Sequence, residues 1–236
     1  MNISIIVPVY NEERRVVEGV TAIHKYFSKK KYVFELIVVS DGSTDKTVEL
    51  LKTCNFSNVK ILHYNKNRGK GYAVKKGFLK ATNPFCAFTD IDLATPIEEI
   101  EKLKKHIPAY DIVIASRKLA KSDIQVKQKK SRELLGKLFP LFVSVLCVTG
   151  IHDTQCGLKL FKTKVAQELV KQQTIERWAF DVELLTIARK KGFSIKEVPV
   201  KWIDEKHSKL NMIKDGSRML SDLFRISRNK LLGKYE

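Results

Sequence analysis

Apolar residues in this chain fall first into short, dense blocks: Ile3–Val9, Phe34–Val39, Val59–His63, Pro84–Phe88 and Asp111–Ala115. Between them lie stretches in which apolar positions recur every three or four residues: Glu12–Ser28, Thr44–Cys54, Gly69–Ala81 and Ile97–Lys105. Continuous β-branched runs make strands buried on both faces, and a period near 3.6 makes amphipathic helices. The alternation therefore predicts βαβ units and a mostly parallel central sheet with helices on both faces. The last of these helices carries its own start signal. Thr95 can cap it, Pro96 fits the first turn and Glu98 completes a capping box.

Beyond residue 120 the pattern changes to a basic segment, an apolar stretch, shorter strand-like pieces and a long basic C-terminal helix, with no linker and no internal repeat. A single domain over 1–236 is expected, with 121–236 wrapping around 1–120. Leu138–Ile151 carries no charge and follows Lys127, Lys129, Lys130, Arg132 and Lys137. A membrane span needs about 20 apolar residues, so this run is too short to cross. An in-plane interfacial helix is the favoured reading and a buried core helix the alternative. Residues 212–232 interleave Met219, Leu220, Leu223, Phe224 and Ile226 with Arg218, Arg225 and Arg228, which suits either a second membrane-facing element or a helix packed on the sheet.

Charge narrows the partners. Forty-four Lys plus Arg against 26 Asp plus Glu leave a formal charge of +18, a field that attracts nucleic acid, anionic lipid or phosphorylated substrates. The four cysteines form no CxxC pair and the histidines are scattered, so a reduced protein without structural zinc is expected. No charged-then-apolar leader precedes the first block, and the two Asn-x-Ser triplets at Asn2 and Asn55 are read as chance.

In an open parallel sheet, ligands gather where the strands end. Four of these ends are polar: Pro8–Glu13, Ser40–Asp45, Asn65–Gly71 and Thr89–Asp92. Asp90 and Asp92, two residues apart, would point to one side of an extended segment and could hold Mg²⁺ or Mn²⁺. The turn Arg68-Gly69-Lys70-Gly71 offers backbone N–H groups and cations to a phosphate. It lacks the glycine spacing and the Ser or Thr of a Walker A loop, which argues against a P-loop NTPase.

Taken together, Val7–Glu13, Asp41–Asp45, Asn67–Gly71, Thr89–Pro96, Asp153–Phe161 and Arg177–Leu185 resemble the inverting glycosyltransferases with the GT-A fold, a Rossmann-like nucleotide-diphospho-sugar transferase fold. The nearest subgroup is the dolichyl-phosphate β-glucosyltransferases and their prokaryotic polyprenyl-phosphate relatives. The resemblance implies a nucleotide-sugar-binding half (1–120) and an acceptor-binding half (121–236). It assigns Pro8, Tyr10, Glu12 and Asp41 to the nucleotide pocket, with Asp41 reading the base. Arg68 and Lys70 fall near ribose and diphosphate, and Asp90 and Asp92 serve the metal. Arg117 belongs near the acceptor phosphate, together with Arg132 and Lys209. Asp153 and Gln155 line the sugar, with Asp153 a candidate base or positioning group. Two departures stand out: Ser40-Asp41 where many relatives have two acids, and Ala94 where mannosyl-phosphate synthases often carry Gln. The second favours a glucosyl donor.

The implied reaction moves a sugar, glucose from UDP-glucose in the first reading, onto a polyprenyl (dolichyl) phosphate with inversion, aided by Mg²⁺ or Mn²⁺. UDP-N-acetylglucosamine, GDP-mannose or a glycan hydroxyl acceptor are the alternatives. The implied location is cytoplasmic, peripheral on the cytosolic face of an anionic membrane, with room for a separate membrane protein partner. A non-catalytic nucleic-acid-binding protein would also explain the charge, but carboxylates clustered at strand ends would repel phosphates unless a metal intervened. No nucleic-acid partner is expected.

Overall fold

The computed structural model of the protein describes residues 1–124, 139–203 and 212–236, with 212–214 described in backbone only. Strand β1 (Asn2–Val9) leads to α1 (Val16–Lys29), β2 (Val33–Asp41) to α2 (Thr47–Thr53) and β3 (Val59–Tyr64) to α3 (Lys70–Lys80). After β4 (Phe85–Phe88), a 3-10 turn (Ile97–Glu99) runs into α4 (Ile100–Lys104), and β5 (Ile112–Ser116) follows. The five apolar blocks of the sequence are these five strands. The short β6 (Asp123–Ile124) comes next, then α5 over 139–146. The chain continues through β7 (Lys159–Lys162), α6 (Thr163–Gln172), α7 (Phe180–Lys190), β8 (Ile195–Pro199), β9 (Lys201–Trp202) and α8 (Met212–Leu231).

One sheet runs in the order β3-β2-β1-β4-β7-β5-β8, and β6 pairs with β9 apart from it. Every pairing in the large sheet is parallel except those of β7, which is antiparallel to both β4 and β5. The period of two sorts β1 between layers. Ile3, Ile5, Val7 and Val9 pack with Val16, Val20, Ile23 and Phe27 of α1, whereas Ile6 joins Ala73, Val74 and Phe78 of α3. Burying each such side chain stabilises the fold by about 1.5–3 kcal/mol.

The capping box does not form. The cap position is Pro96 with no side-chain cap bond, and the Thr95 hydroxyl lies buried 3.4 Å from Cys156 Sγ, so burial takes the group that capping would have used.

Polar residues inside the sheet are tied down. Glu35 on β2 accepts from the Ser4 hydroxyl (2.6 Å), from the Thr82 amide and hydroxyl (2.8 and 2.7 Å) and from Lys60 Nζ (2.7 Å). Burial opposes its charge, but these donors outweigh it and bring the pKa from 4.5 down to about 2. A depressed acid stabilises the fold above its unfolded value and ceases to as pH falls through its folded one. Glu35→Gln is therefore expected to flatten the stability–pH curve between 4.5 and about 2, read from urea midpoints across that range.

The apolar run at 138–151 and the C-terminal helix each divide their residues. Val143, Cys147 and Val148 are buried, while Leu141 and Val145 are 60% and 73% exposed. On α8, Met219, Leu223 and Ile226 enter the core, and Phe224 and Leu231 are 56% and 83% exposed. Lys230 Nζ donates to the Cys147 carbonyl (2.8 Å), which ties the chain just after α5 to α8. Core helix and exposed apolar face are thus combined in the same elements. Leu138 and the basic approach at Lys127, Lys129, Lys130, Arg132 and Lys137 lie outside the described residues.

Candidate active site

The ends of β1, β2, β4 and β5 open into one cleft of about 500 Å³. Pro8, Tyr10 and Glu12 line it from the β1 end. The segment after Glu12 is braced by neighbours: the Glu12 amide donates to Thr47 Oγ1 (2.7 Å) and its carboxylate pairs with Arg15, which also faces the cleft.

Asp41 ends β2. Its Oδ1 accepts from the Tyr64 hydroxyl and the Arg68 amide (both 2.8 Å), and its Oδ2 from Asn67 Nδ2 (2.9 Å) and the Gly69 amide (2.7 Å). A carboxylate has about four lone-pair sites. Protein donors engage them, so Asp41, which lines the cleft as expected, also holds the 67–69 turn in shape. That turn needs glycine, because Gly69 has φ 119° and a Cβ there would stand 2.6 Å from the Glu176 carbonyl oxygen. Arg68 is turned away from the place expected of it. Its guanidinium pairs with Glu176 and lies 3.7 Å from the centre of the Tyr72 ring, lining a neighbouring groove rather than the cleft. A carboxylate 108 residues away along the chain has neutralised it.

Lys70, Asp90 and Asp92 do meet in the cleft. Lys70 Nζ is 2.6 Å from Asp90 Oδ1. Burial alone would lower the Lys70 pKa, but the charges of Asp90 and Asp181 outweigh it and the net shift is upward. The two aspartates are brought together by a turn, not by an extended segment: buried Ile91 separates them and Leu93 takes the left-handed conformation at φ 51°. Burial first, then the neighbouring Asp90 charge, push the Asp92 carboxyl above its ordinary pKa. Gly157 stands so close to Asp90 Oδ2 that any Cβ would overlap it.

Arg117, after β5, also lines the cleft and is held by Asp153 in a forked pair: Nε to Oδ2 at 2.7 Å and Nη2 to Oδ1 at 2.8 Å, with the Arg117 amide on Oδ2 at 2.9 Å. Asp153 is 2% exposed and the Gln155 amide also donates to it (3.2 Å). Burial would raise its pKa, yet Arg117 drives it far below the carboxylate range, and Arg117 itself is shifted up by the same charge. A carboxylate so strongly held is a poor proton acceptor. Of the two roles expected of Asp153, general base and positioning group, the geometry supports only the second. Gln155 lines the cleft. Arg132 and Lys209 lie outside the described residues.

Among the cleft-side residues with no assigned role in the sequence are Trp178, Asp181 and Trp202, which line the cleft, and Lys159, which is buried close to it. The signal was present for Lys159 and Asp181. Lys159 stands between Leu158 and Leu160, and Asp181 between Phe180 and Val182; charges in such apolar surroundings need a partner, and theirs is each other at 2.8 Å.

Residues 4–170 match Glycosyl transferase family 2. The dolichyl-phosphate beta-glucosyltransferase of Dictyostelium discoideum is 38% identical across 98% of this chain and 75% of its own length. That of Homo sapiens is 34% identical across 98% and 76%. Among solved structures, mannosyl-3-phosphoglycerate synthase from Rubrobacter xylanophilus superposes with a TM-score of 0.72 over 99% of this chain and 75% of that one, at 16% identity. Glucosyl-3-phosphoglycerate synthase from Mycobacterium tuberculosis, solved with Mn²⁺, UDP and phosphoglyceric acid, gives 0.70 over 99% and 78%, at 17% identity. These neighbours bear out the GT-A fold. The chain is a family 2 glycosyltransferase, related over nearly its whole length to the dolichyl-phosphate beta-glucosyltransferases.

Proposed function

We propose that the protein transfers glucose from UDP-glucose to a dolichyl or similar polyprenyl phosphate, forming a β-linked lipid phosphate sugar. The observation that carries this reading is the convergence of an acidic pair, Asp90 and Asp92, with the cations Lys70 and Arg117 in one cleft at the strand ends. Such a site suits two phosphate-bearing substrates. The relatives' names supply the sugar and the lipid.

The donor set fits a divalent cation. Two like charges that repel each other in a half-buried cleft are relieved by Mg²⁺ or Mn²⁺, for which carboxylates are suitable ligands. Among the described residues no group of three His, Cys, Asp or Glu is arranged to hold a metal, so diphosphate and water would complete the shell. Bound there, the ion would neutralise charge on the departing diphosphate.

The chain's own groups do the rest. Lys70 attracts the donor's diphosphate, and Arg117, fixed in rotamer by Asp153, orients the acceptor phosphate. An acceptor phosphate oxygen attacks the anomeric carbon as the bond from that carbon to the diphosphate breaks, and UDP leaves. One displacement turns an α-linked donor into a β-linked product. A phosphate monoester is already ionised near neutral pH, so no general base is required and Asp153 is free to serve Arg117.

The acceptor's lipid tail requires access to a membrane. No described helix is long and apolar enough to cross one. The exposed Leu141, Val145, Phe224 and Leu231, in a chain of formal charge +18, suit peripheral docking on an anionic leaflet, the cytosolic face where nucleotide sugars occur. Residues 1–120 would serve mainly the donor and 121–236 the acceptor, and a separate membrane protein could assist docking.

The test is purified protein with radiolabelled UDP-glucose, Mn²⁺ or Mg²⁺ and a short polyprenyl phosphate in detergent. Metal-dependent label is expected in the organic phase, with UDP-glucose preferred over UDP-N-acetylglucosamine and GDP-mannose. Equal turnover with all three would overturn the glucose assignment.

A further inference from the structure

Four charged side chains from four separate stretches of sequence meet at the floor of the cleft, three of them lining it and Lys159 buried behind them. Lys70 opens α3, Asp90 follows β4, Lys159 opens β7 and Asp181 lies in the first turn of α7. Lys70 Nζ is 2.6 Å from Asp90 Oδ1, and Lys159 Nζ is 2.8 Å from Asp181 Oδ1. Both ammonium groups flank the same Phe88 ring, at 5.8 and 5.0 Å from its centre. Lys159 also donates to the Cys156 carbonyl at 2.6 Å. Asp181 is 4% exposed, and its Oδ1, though close enough to Lys159 for an ion pair, has no donor aligned for a directed hydrogen bond. The charges of Asp90 and Asp181 both act on Lys70.

The oxygen that Lys70 occupies belongs to one of the two carboxylates proposed to hold the divalent cation. A metal ion at about 2.0–2.2 Å from that oxygen would stand against the ammonium, and the two cations would repel. Asp181 offers Lys70 a second, buried negative charge with spare acceptor capacity, and the donor's diphosphate offers a third.

We propose that Lys70 competes with the divalent cation for Asp90, and that Asp181 is a positioning residue that draws Lys70 off that carboxylate as the cation and the diphosphate enter together. This rests on the donor and metal reading above and goes further: it makes Lys70 an exchangeable cation and couples metal affinity to nucleotide binding. The cation alone binds weakly because it must displace an ammonium. With UDP present the displaced ammonium gains a partner, so each ligand tightens the other.

The test is Mn²⁺ titration of the full chain, read from the electron paramagnetic resonance signal of free Mn²⁺, with and without UDP. Wild type should bind Mn²⁺, Asp92→Asn should bind it more weakly, and UDP should tighten wild-type binding. Lys70→Met should bind Mn²⁺ about fivefold tighter than wild type without nucleotide, and lose most of the tightening by UDP. Asp181→Asn should weaken binding about threefold in the wild-type background and by less than about 1.5-fold in the Lys70→Met background, because its effect runs through Lys70. Equal weakening in both backgrounds would mean that Asp181 acts only through its field and would overturn its positioning role. Unchanged or weaker Mn²⁺ binding by Lys70→Met would overturn the competition. If Asp181→Asn fails to fold because Lys159 is left unpaired, the pair Asp181→Leu with Lys159→Met, compared with and without Lys70→Met, makes the same comparison. Wild type that binds UDP but no Mn²⁺ would remove the metal reading and this inference together; wild type that binds both leaves the decision to the Lys70 variants alone.

Discussion

Asp92→Asn is expected to lower the rate of glucosyl transfer by about a thousandfold without weakening the fold. The carboxylate is partly buried in the cleft, and both burial and Asp90 resist its charge, so its pKa is raised. An acid with a raised folded pKa opposes folding when ionised, and the neutral amide removes that opposition while keeping shape and the acceptor for the Ala94 amide (3.1 Å). The urea midpoint should therefore stay level or rise as activity collapses. Single-turnover label transfer measured beside unfolding curves reads both, and a parallel fall in stability and rate would mean that Asp92 is a structural residue.

Arg117→Met, by contrast, should damage both rate and stability. It leaves Asp153 charged, 2% exposed and without its forked partner, which costs about 3–5 kcal/mol. Replacing both residues, Arg117→Met with Asp153→Leu, removes the stranded charge and should recover most of that stability while transfer remains lost, because the proposed acceptor-orienting cation is gone. The pair also shapes the acid limb. Asp153 has a depressed folded pKa, so its contribution is present above the ordinary carboxylate value of 3.8 and is lost as pH falls through the folded value. In the double variant this acid sensitivity should shrink. Urea midpoints from neutral pH down to pH 2, which enters the window below 3.8, test it, and a double variant as unstable as the single one would show that the pair contributes packing rather than charge.

Four of the sheet's first five strands were legible because they are largely buried on both faces and read as dense apolar runs; β3, at the sheet edge, is only partly buried and showed through Val59, Ile61 and Leu62. Strand β7 was not legible, since it is four residues long and begins with a buried lysine, which a periodicity reading scores as surface. The cleft was legible in part for a similar reason. Polar residues at the ends of buried strands have few places to go, which brought Lys70, Asp90 and Asp92 together as expected. What sequence could not supply was the partner of each charge. Arg68 looked available until Glu176 reached it, Asp41 until the 67–69 turn folded over it, and Asp153 until Arg117 closed on it. Each of these depends on residues between 26 and 108 positions apart, distances over which no local pattern speaks.

The single reversed strand sets a limit on how this chain could be taken apart. Strand β5 reaches β4 only through β7, which is supplied some 40 residues later in the chain. A cut near residue 120 would strand β5 without the neighbour that links it to the rest of the sheet and leave β4 with an open edge. The proposed donor and acceptor halves are thus interlaced rather than joined end to end. A chimera that takes its acceptor half from a relative would have to import a strand into the middle of the host sheet, whereas exchange of single loops at the strand ends leaves the hydrogen-bond ladder whole. Acceptor preference in a scaffold woven this way is more readily changed by loop grafting than by shuffling of modules.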